Sequence, residues 1–396
     1  MLYQLEGSQA VARAIALCRP EVVCAYPITP QTHIVEGVGE LVRSGQLENC
    51  QYLNVESEMG AISVAIGSEA AGVRSYTATS SQGLLYMMEA VYNASGLELP
   101  IVMTLGNRAI GSPLNIWNDH TDAMSARDAG WLMMFAENNQ EAADLHIQAF
   151  KIAETVKCPI MVCMDGFILT HAYEKVDLPE QSEVDEFLPP YKPAFALDPK
   201  KPCAIGAMVP TTEFMEVRYL AHLRQLEAKT VIEKVGREFS AKFKRNSGGL
   251  IRTYHTEGAE TVIVAMGSVL GSIKDTVDDL NQTSGSGKYG VMSVVSYRPF
   301  PDEQIREALK NAKRVIVVEK AFALGRGGIL SREIELALKG LDIEIITVIA
   351  GLGGRVITKT MLSEVFQKPK DKLIFLGLRE DVIRREYKTV LDERRA

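Results

Sequence analysis

The 396-residue chain is poor in the features that would tie it to a membrane, a polyanion or a metal. No apolar run approaches the roughly 20 residues needed to span a bilayer. The opening Met1-Leu2-Tyr3-Gln4-Leu5-Glu6-Gly7 lacks a basic segment followed by an apolar core, so a cytoplasmic protein is expected. With 43 basic against 50 acidic residues the formal charge is −7, which disfavours nucleic acid and anionic membranes as partners. Six cysteines, at 18, 24, 50, 158, 163 and 203, show no Cys-x-x-Cys spacing. They are expected to be reduced and mainly buried, not ligands of zinc or of an iron–sulfur cluster. None of the six histidines forms a His-x-x-x-His or His-Glu-x-x-His pair, so no protein-built metal site is expected. There is no Gly-x-x-x-x-Gly-Lys-Ser/Thr stretch, and Gly351-Leu352-Gly353-Gly354 has Val356 where a dinucleotide fingerprint needs its third glycine.

What is present is an α/β pattern, written twice. A hydrophobic fraction of 46% with 23% charge suits a globular protein, and the length allows two or three domains. Residues 8–165 alternate short apolar runs with helix-length segments, which predicts a mainly parallel sheet covered by helices. A second such block starts near Gly258, with strands expected at 261–266, 289–295, 314–318 and 343–349. Between the blocks, residues 176–210 turn acidic and then proline-rich, an extended connection, and 212–243 read as a long amphipathic covering helix. The expected division is 1–175, 176–257 and 258–396.

The chemistry-bearing residues fall where predicted strands end, which is where open α/β sheets bind ligands. After the apolar run 52–55, Ser57 stands as an N-cap and places Glu58 in the first turn of a helix rich in small residues, Gly60 and Ala61 onward. A carboxylate there can hydrogen-bond a flat heterocycle, or it can simply complement the helix dipole. Thr29 lies in Tyr26-Pro27-Ile28-Thr29-Pro30, whose two prolines stiffen the loop; its hydroxyl is held for a ligand or caps the next helix. Ser81 and Gln82 lie in a Ser-Ser-Gln-Gly turn that suits a ligand-facing loop. Arg108 follows a strong strand and can grip a carboxylate with two parallel hydrogen bonds, or pair with a surface acid. Asn118, Asp119 and His120 crowd polar groups around Trp117, with Asp119 and His120 able to orient each other.

These stretches carry a resemblance to a family. Tyr26 to Pro30, Glu56-Ser57-Glu58-Met59-Gly60, Ser80 to Leu84, Asn107 to Ile110 and Asn115 to His120 are similar, in order, to the alpha subunit of thiamine-diphosphate-dependent pyruvate:ferredoxin oxidoreductases and the wider 2-oxoacid:ferredoxin oxidoreductases. Arg127-Asp128, Asp165-Gly166-Phe167, Phe187 to Tyr191 and Tyr297 to Phe300 extend the match over nearly the whole chain. The resemblance implies a pyrimidine-binding α/β domain, an open sheet with helices on both faces, followed by a transketolase-C-terminal-like α/β domain. It implies that Glu58 contacts the aminopyrimidine of thiamine diphosphate, with Ser81 and Gln82 beside the cofactor, and that Thr29 and Arg108 hold the 2-oxoacid, with Asn118 and Asp119 as lesser candidates. A single matched cation fits a monocarboxylate such as pyruvate.

The family's Gly-Asp-Gly…Asn-Asn grip on magnesium and diphosphate is absent here. The resemblance therefore implies a cofactor cleft shared with a beta subunit, with Mg2+ and the 4Fe–4S clusters on partner subunits (beta, gamma and delta). Coenzyme A is the implied co-substrate and ferredoxin the electron acceptor. Two alternatives stand beside this: the same chemistry on 2-oxobutyrate or a branched-chain 2-oxoacid, and a non-catalytic scaffold subunit.

Overall fold

The computed structural model describes residues 1–284 and 288–393, so residues 394–396 of the expected last domain lie outside the described residues. Its strands are, in chain order, β1 (Leu2–Glu6), β2 (Val22–Ala25), β3 (Gln51–Asn54), β4 (Ser75–Thr79), β5 (Val102–Asn107), β6 (Leu132–Phe135), β7 (Ile160–Asp165), β8 (Tyr173–Asp177), β9 (Ile251–Tyr254), β10 (Thr261–Ala265), β11 (Tyr289–Val294), β12 (Ser296–Arg298), β13 (Arg314–Glu319), β14 (Glu344–Ile349) and β15 (Leu373–Phe375). One sheet runs β12-β6-β7-β5-β4-β2-β3 and a second β15-β14-β13-β10-β11-β9, while β1 and β8 pair separately. Only β12 is antiparallel in the first sheet and only β9 in the second.

Parallel sheets have both faces covered, and the period-2 alternation of side chains divides the core accordingly. In β5, Val102 joins a cluster with the helices Gly7–Leu17, Thr32–Arg43 and Asn139–Val156, while Met103 and Leu105 join the opposite cluster with Glu58–Ala70 and Met88–Gly96. That second cluster also takes Val262 and Val264 of β10 together with Ile305 and Ile334, so it is a layer common to both α/β units. Ile263 and Ala265 of β10 face the far side. The covering helix, Phe214–Phe243, buries Ala228, Ile232, Val235, Phe239 and Phe243, one helical stripe, and leaves Phe214, Met215, Tyr219 and Leu220 exposed.

The structure departs from the sequence reading where elements are too short to carry a period. Ser81 and Gln82, expected in a turn, open the helix Ser81–Tyr86, which meets a second helix, Met88–Gly96, at Met87. Residues past 175 still belong to the first core, since β8 pairs with β1 and Val184 and Phe187 are buried in that cluster. Upstream of Gly258, β9 already pairs with β11 in the second sheet. The three-residue β12 crosses from the second block into the first sheet, pairing with β6.

Candidate active site

Strands β5, β4, β2 and β3 are neighbours and parallel, so the loops after them open on one edge. Thr29 follows β2, Glu58 follows β3, Ser81 and Gln82 follow β4, and Arg108 follows β5. The topology thus brings together residues spread over eighty positions of chain, as the sequence pattern predicts.

Ser57 caps the helix Glu58–Ala70, its side chain accepting the Gly60 N–H at 3.1 Å. Glu58 is buried in the first turn, and among the described residues its carboxylate has no hydrogen-bond or ion-pair partner. Gly83 makes room for it: a Cβ there would stand 2.6 Å from Glu58 Oε1 and 2.5 Å from Thr79 Oγ1. The hydroxyls of Thr79 and Ser80, Asn107 Oδ1 and Gln31 Oε1 are buried without partners among the described residues. Ser80 and Gln31 also share a wall, since a Cβ on Gly106 would lie 3.1 Å from Ser80 Oγ and 3.3 Å from Gln31 Cβ. Each unpaired buried polar group costs about 1–3 kcal/mol. A polar heterocycle beside Glu58 that hydrogen-bonds this wall removes part of that cost, and the donor set fits an aminopyrimidine.

Arg108 is also buried. Its Nη1 donates to the Thr29 carbonyl at 3.0 Å and its Nε to the Asn115 carbonyl at 3.2 Å. Among the described residues no carboxylate pairs with it. Burial lowers the guanidinium pKa, with the Asp122 charge opposing. A buried cation supported by neutral carbonyls alone is incompletely compensated, and an anionic ligand completes it. Thr29 therefore contributes its carbonyl to the arginine's placement. It does not cap the next helix, which starts at Thr32 with Gln31 as N-cap.

Asp122 is the residue that sequence reasoning passed over. Fully buried, its carboxylate accepts the backbone N–H of Ser81 at 3.0 Å, of Arg108 at 2.9 Å and of Ala123 at 2.7 Å, and the Asn107 side-chain amide at 3.0 Å. One group so knots the loops after β4 and β5. Burial pushes its pKa up to about 6, with the bonds from Asn107, Arg108 and Ser81 pulling the other way. Its partners are mainly main-chain amides distant in sequence, and no residue pattern announces such partners. Ser81 adds to the knot, its hydroxyl donating to the Ala109 carbonyl at 2.6 Å, and the Gln82 amide lies against Gly111.

The segment from Asn115 to His120 faces the second unit. Asp119 accepts the Thr121 N–H and, through Oδ2, the Gly353 N–H at 3.0 Å, so both its oxygens are engaged. Asn118 donates to the Asn107 carbonyl at 3.4 Å, leaving its Oδ1 buried and unpartnered. His120 does not orient Asp119; its Nε2 lies 2.6 Å from Asp165 Oδ1. Asp165, fully buried at the end of β7, also accepts Lys320 Nζ at 2.9 Å and the Ser268 N–H at 3.1 Å. Burial pushes the Asp165 carboxyl up, but Lys320 and His120 outweigh it and hold it well below the usual range. The two glycine loops of the second unit, at Gly267 and at Gly353, each donate a backbone N–H to a carboxylate of the first unit.

Comparison with known proteins identifies the family. Residues 13–237 match the family model described as pyruvate flavodoxin/ferredoxin oxidoreductase, thiamine diphosphate-binding, and residues 259–362 match pyruvate:ferredoxin oxidoreductase core domain II. The pyruvate synthase subunit PorA of Methanosarcina barkeri is 46% identical over 371 residues, 92% of each chain. The chain belongs to this oxidoreductase family. Another pyruvate synthase subunit PorA, from Methanothermobacter thermautotrophicus, is 42% identical over 96% of this chain and 99% of that one. A relative with a different name, the ketoisovalerate oxidoreductase subunit VorA of Pyrococcus horikoshii, is 43% identical over 89% of this chain and 90% of its own. Among solved structures, the 2-oxoglutarate:ferredoxin oxidoreductase of Magnetococcus marinus shares the fold, with a TM-score of 0.69 at 19% identity. The match covers 92% of this chain and 65% of that one, so this family member spans about two thirds of the solved chain's length.

Proposed function

We propose that this chain is the alpha subunit of a coenzyme-A-dependent pyruvate:ferredoxin oxidoreductase, which converts pyruvate to acetyl-coenzyme A and carbon dioxide with reduction of ferredoxin. The likeness to pyruvate synthase subunits over more than nine tenths of the chain carries the reading. The Glu58 carboxylate, without a hydrogen-bond or ion-pair partner among the described residues, and the Arg108 cation, held there by carbonyls alone, lie on one sheet edge and support it.

When bound, thiamine diphosphate supplies a nucleophilic carbon for the keto group and an electron sink for the pair released with carbon dioxide. The residues of this chain bind and orient. Glu58 would hold the cofactor by a hydrogen bond from its carboxyl to the aminopyrimidine, the chemistry that tunes that ring's proton affinity. Ser81 and Gln82 border the same space, and Asp122 fixes the backbone from which they project. Arg108, its guanidinium held by the Thr29 and Asn115 carbonyls, pairs with the 2-oxoacid carboxylate and aims the keto carbon at the cofactor. Asn118 reaches the substrate side through its free Oδ1, and Asp119 positions it by anchoring the segment to Gly353.

The remaining parts belong to other chains in this reading: a beta subunit closing the cleft and holding Mg2+, and gamma and delta subunits that, with the beta subunit, carry 4Fe–4S clusters to ferredoxin. Exposed apolar residues on the first half of the helix Phe214–Phe243 support assembly with partners, since such patches mark protein contacts. Among the described residues no helix is long and apolar enough to cross a membrane, in keeping with a cytoplasmic complex.

The likeness to a ketoisovalerate oxidoreductase subunit favours one second reading, a branched-chain 2-oxoacid as substrate. The test is to tag the chain in its host, purify its complex without oxygen and compare coenzyme-A-dependent dye reduction with pyruvate, 2-oxobutyrate, 2-oxoisovalerate and 2-oxoglutarate. Highest kcat/KM on pyruvate is expected; preference for 2-oxoisovalerate would move the chain to the second reading.

A further inference from the structure

A second constellation is made of residues not assigned above. Glu6 ends β1, His33 stands in the first turn of the helix Thr32–Arg43, and His171 lies in the turn between β7 and β8. One potential ligand atom from each residue lies within 4.8 Å of the other two. We infer that Glu6, His33 and His171 form a binding site for a divalent transition metal of borderline character, for which Zn2+ is the probe.

The donor set is two imidazoles and one carboxylate, the composition that suits zinc and its neighbours and leaves a fourth position for water. The site is built, not a chance meeting of flexible side chains. The His171 ring makes tilted contacts with those of Phe167 and His33, each centroid 4.8 Å away, which restrain it. Thr170 Oγ1 lies 2.7 Å from His171 Nδ1 and accepts the Phe167 N–H at 2.8 Å. A hydroxyl oxygen has a second lone pair, so Nδ1–H can donate to it and leave Nε2 for the metal, the outer-shell arrangement that orients ligating histidines. Glu6 is mostly buried and rests 2.6 Å from His33 Nδ1, while His33 is half exposed, so an ion from solvent reaches the site. Charge favours it as well: one carboxylate meets a dication, and the bound state gains more than the single hydrogen bond it replaces.

Spacing rules miss this site because Glu6 and His33 are 27 residues apart and His171 arrives on a third element. A bound ion joins β1, the start of the helix after the Thr29 loop, and the turn after β7. Its expected role is a brace on that rim.

The test uses the intact complex that contains the chain, depleted of loosely bound metal by a brief chelator wash and titrated with Zn2+ against a chromophoric competitor. The wild type is expected to bind one more equivalent per copy of the chain than His171→Phe, which keeps an aromatic ring, and than Glu6→Gln. In each variant that equivalent weakens at least tenfold. Zinc absorption-edge spectra of the difference should show nitrogen and oxygen ligands only. Added Zn2+ should raise the melting temperature of the wild type and not of the variants. Equal stoichiometry and affinity in wild type and both variants, or sulfur ligation of the extra ion, would overturn the assignment. Glu6→Gln guards against a folding defect, since it removes one negative charge and keeps the side-chain shape.

Discussion

At the scale of single residues, the site depends on two buried charged groups, Glu58 and Arg108, that have no charged partner among the described residues. Replacing Arg108 by Ala removes charge-assisted hydrogen bonds to the substrate carboxylate, about 1.5–3 kcal/mol, or roughly ten- to a hundredfold. Steady-state kinetics should show that loss mainly as a higher KM for pyruvate, with the requirement for thiamine diphosphate unchanged. Asp122 introduces a pH dependence. Its folded pKa, about 6, lies above the ordinary carboxyl value, so it favours the fold most at low pH and that contribution fades as pH rises through about 6. Activity runs the other way, because the ionised carboxylate is the better acceptor for the Ser81 and Arg108 amides. The acid limb of kcat/KM should therefore fall near pH 6, and Asp122→Asn should lower activity at neutral pH and remove that limb. An unchanged profile in Asp122→Asn would show that the ionisation of Asp122 does not govern activity.

At the scale of elements, a strand end and the helix start after it must meet closely, and Gly83 is where they do. Gly83→Ala would drive a methyl into Glu58 Oε1 and Cγ, a side chain that can swing away, and into Thr79 Oγ1, on a buried β-branched side chain that cannot. The expected outcome is a stability loss of about 1–3 kcal/mol by thermal melting, with a rise of at least tenfold in the thiamine diphosphate requirement. The joint between the units makes the opposite case. Asp165 pairs with Lys320 in a buried cluster that also bonds His120, so Lys320→Met or Asp165→Asn strands a charge, which costs about 3–5 kcal/mol. Melting of the complex should fall steeply in either single variant and recover in part in the double variant, where no unpaired charge remains.

At the scale of the whole molecule, both α/β blocks were legible from strand and helix periods, and Ser57 and Glu58 were legible because an N-cap and a first turn are local. Arg108 and Thr29 were placed on one edge by topology alone. What sequence could not show is what closes over distance. Asp122 binds backbone amides of other loops, Asp119 and Asp165 satisfy glycine loops of the second unit, and β12 has too few residues to carry a period. The common apolar layer between the sheets follows from the same alternation that predicts each strand, but which unit fills each face appears only once both are folded.

The most direct measurement is to purify the complex carrying Glu58→Ala without oxygen and determine coenzyme-A-dependent pyruvate turnover, with subunit content and melting temperature as controls. Assembly and stability near wild type with turnover abolished is the predicted result, because the carboxylate that orients the aminopyrimidine is gone. An assembled Glu58→Ala complex that still oxidises pyruvate at the wild-type rate would contradict the placement of the cofactor at this edge of the sheet, and with it the assignment of this chain's part in the reaction.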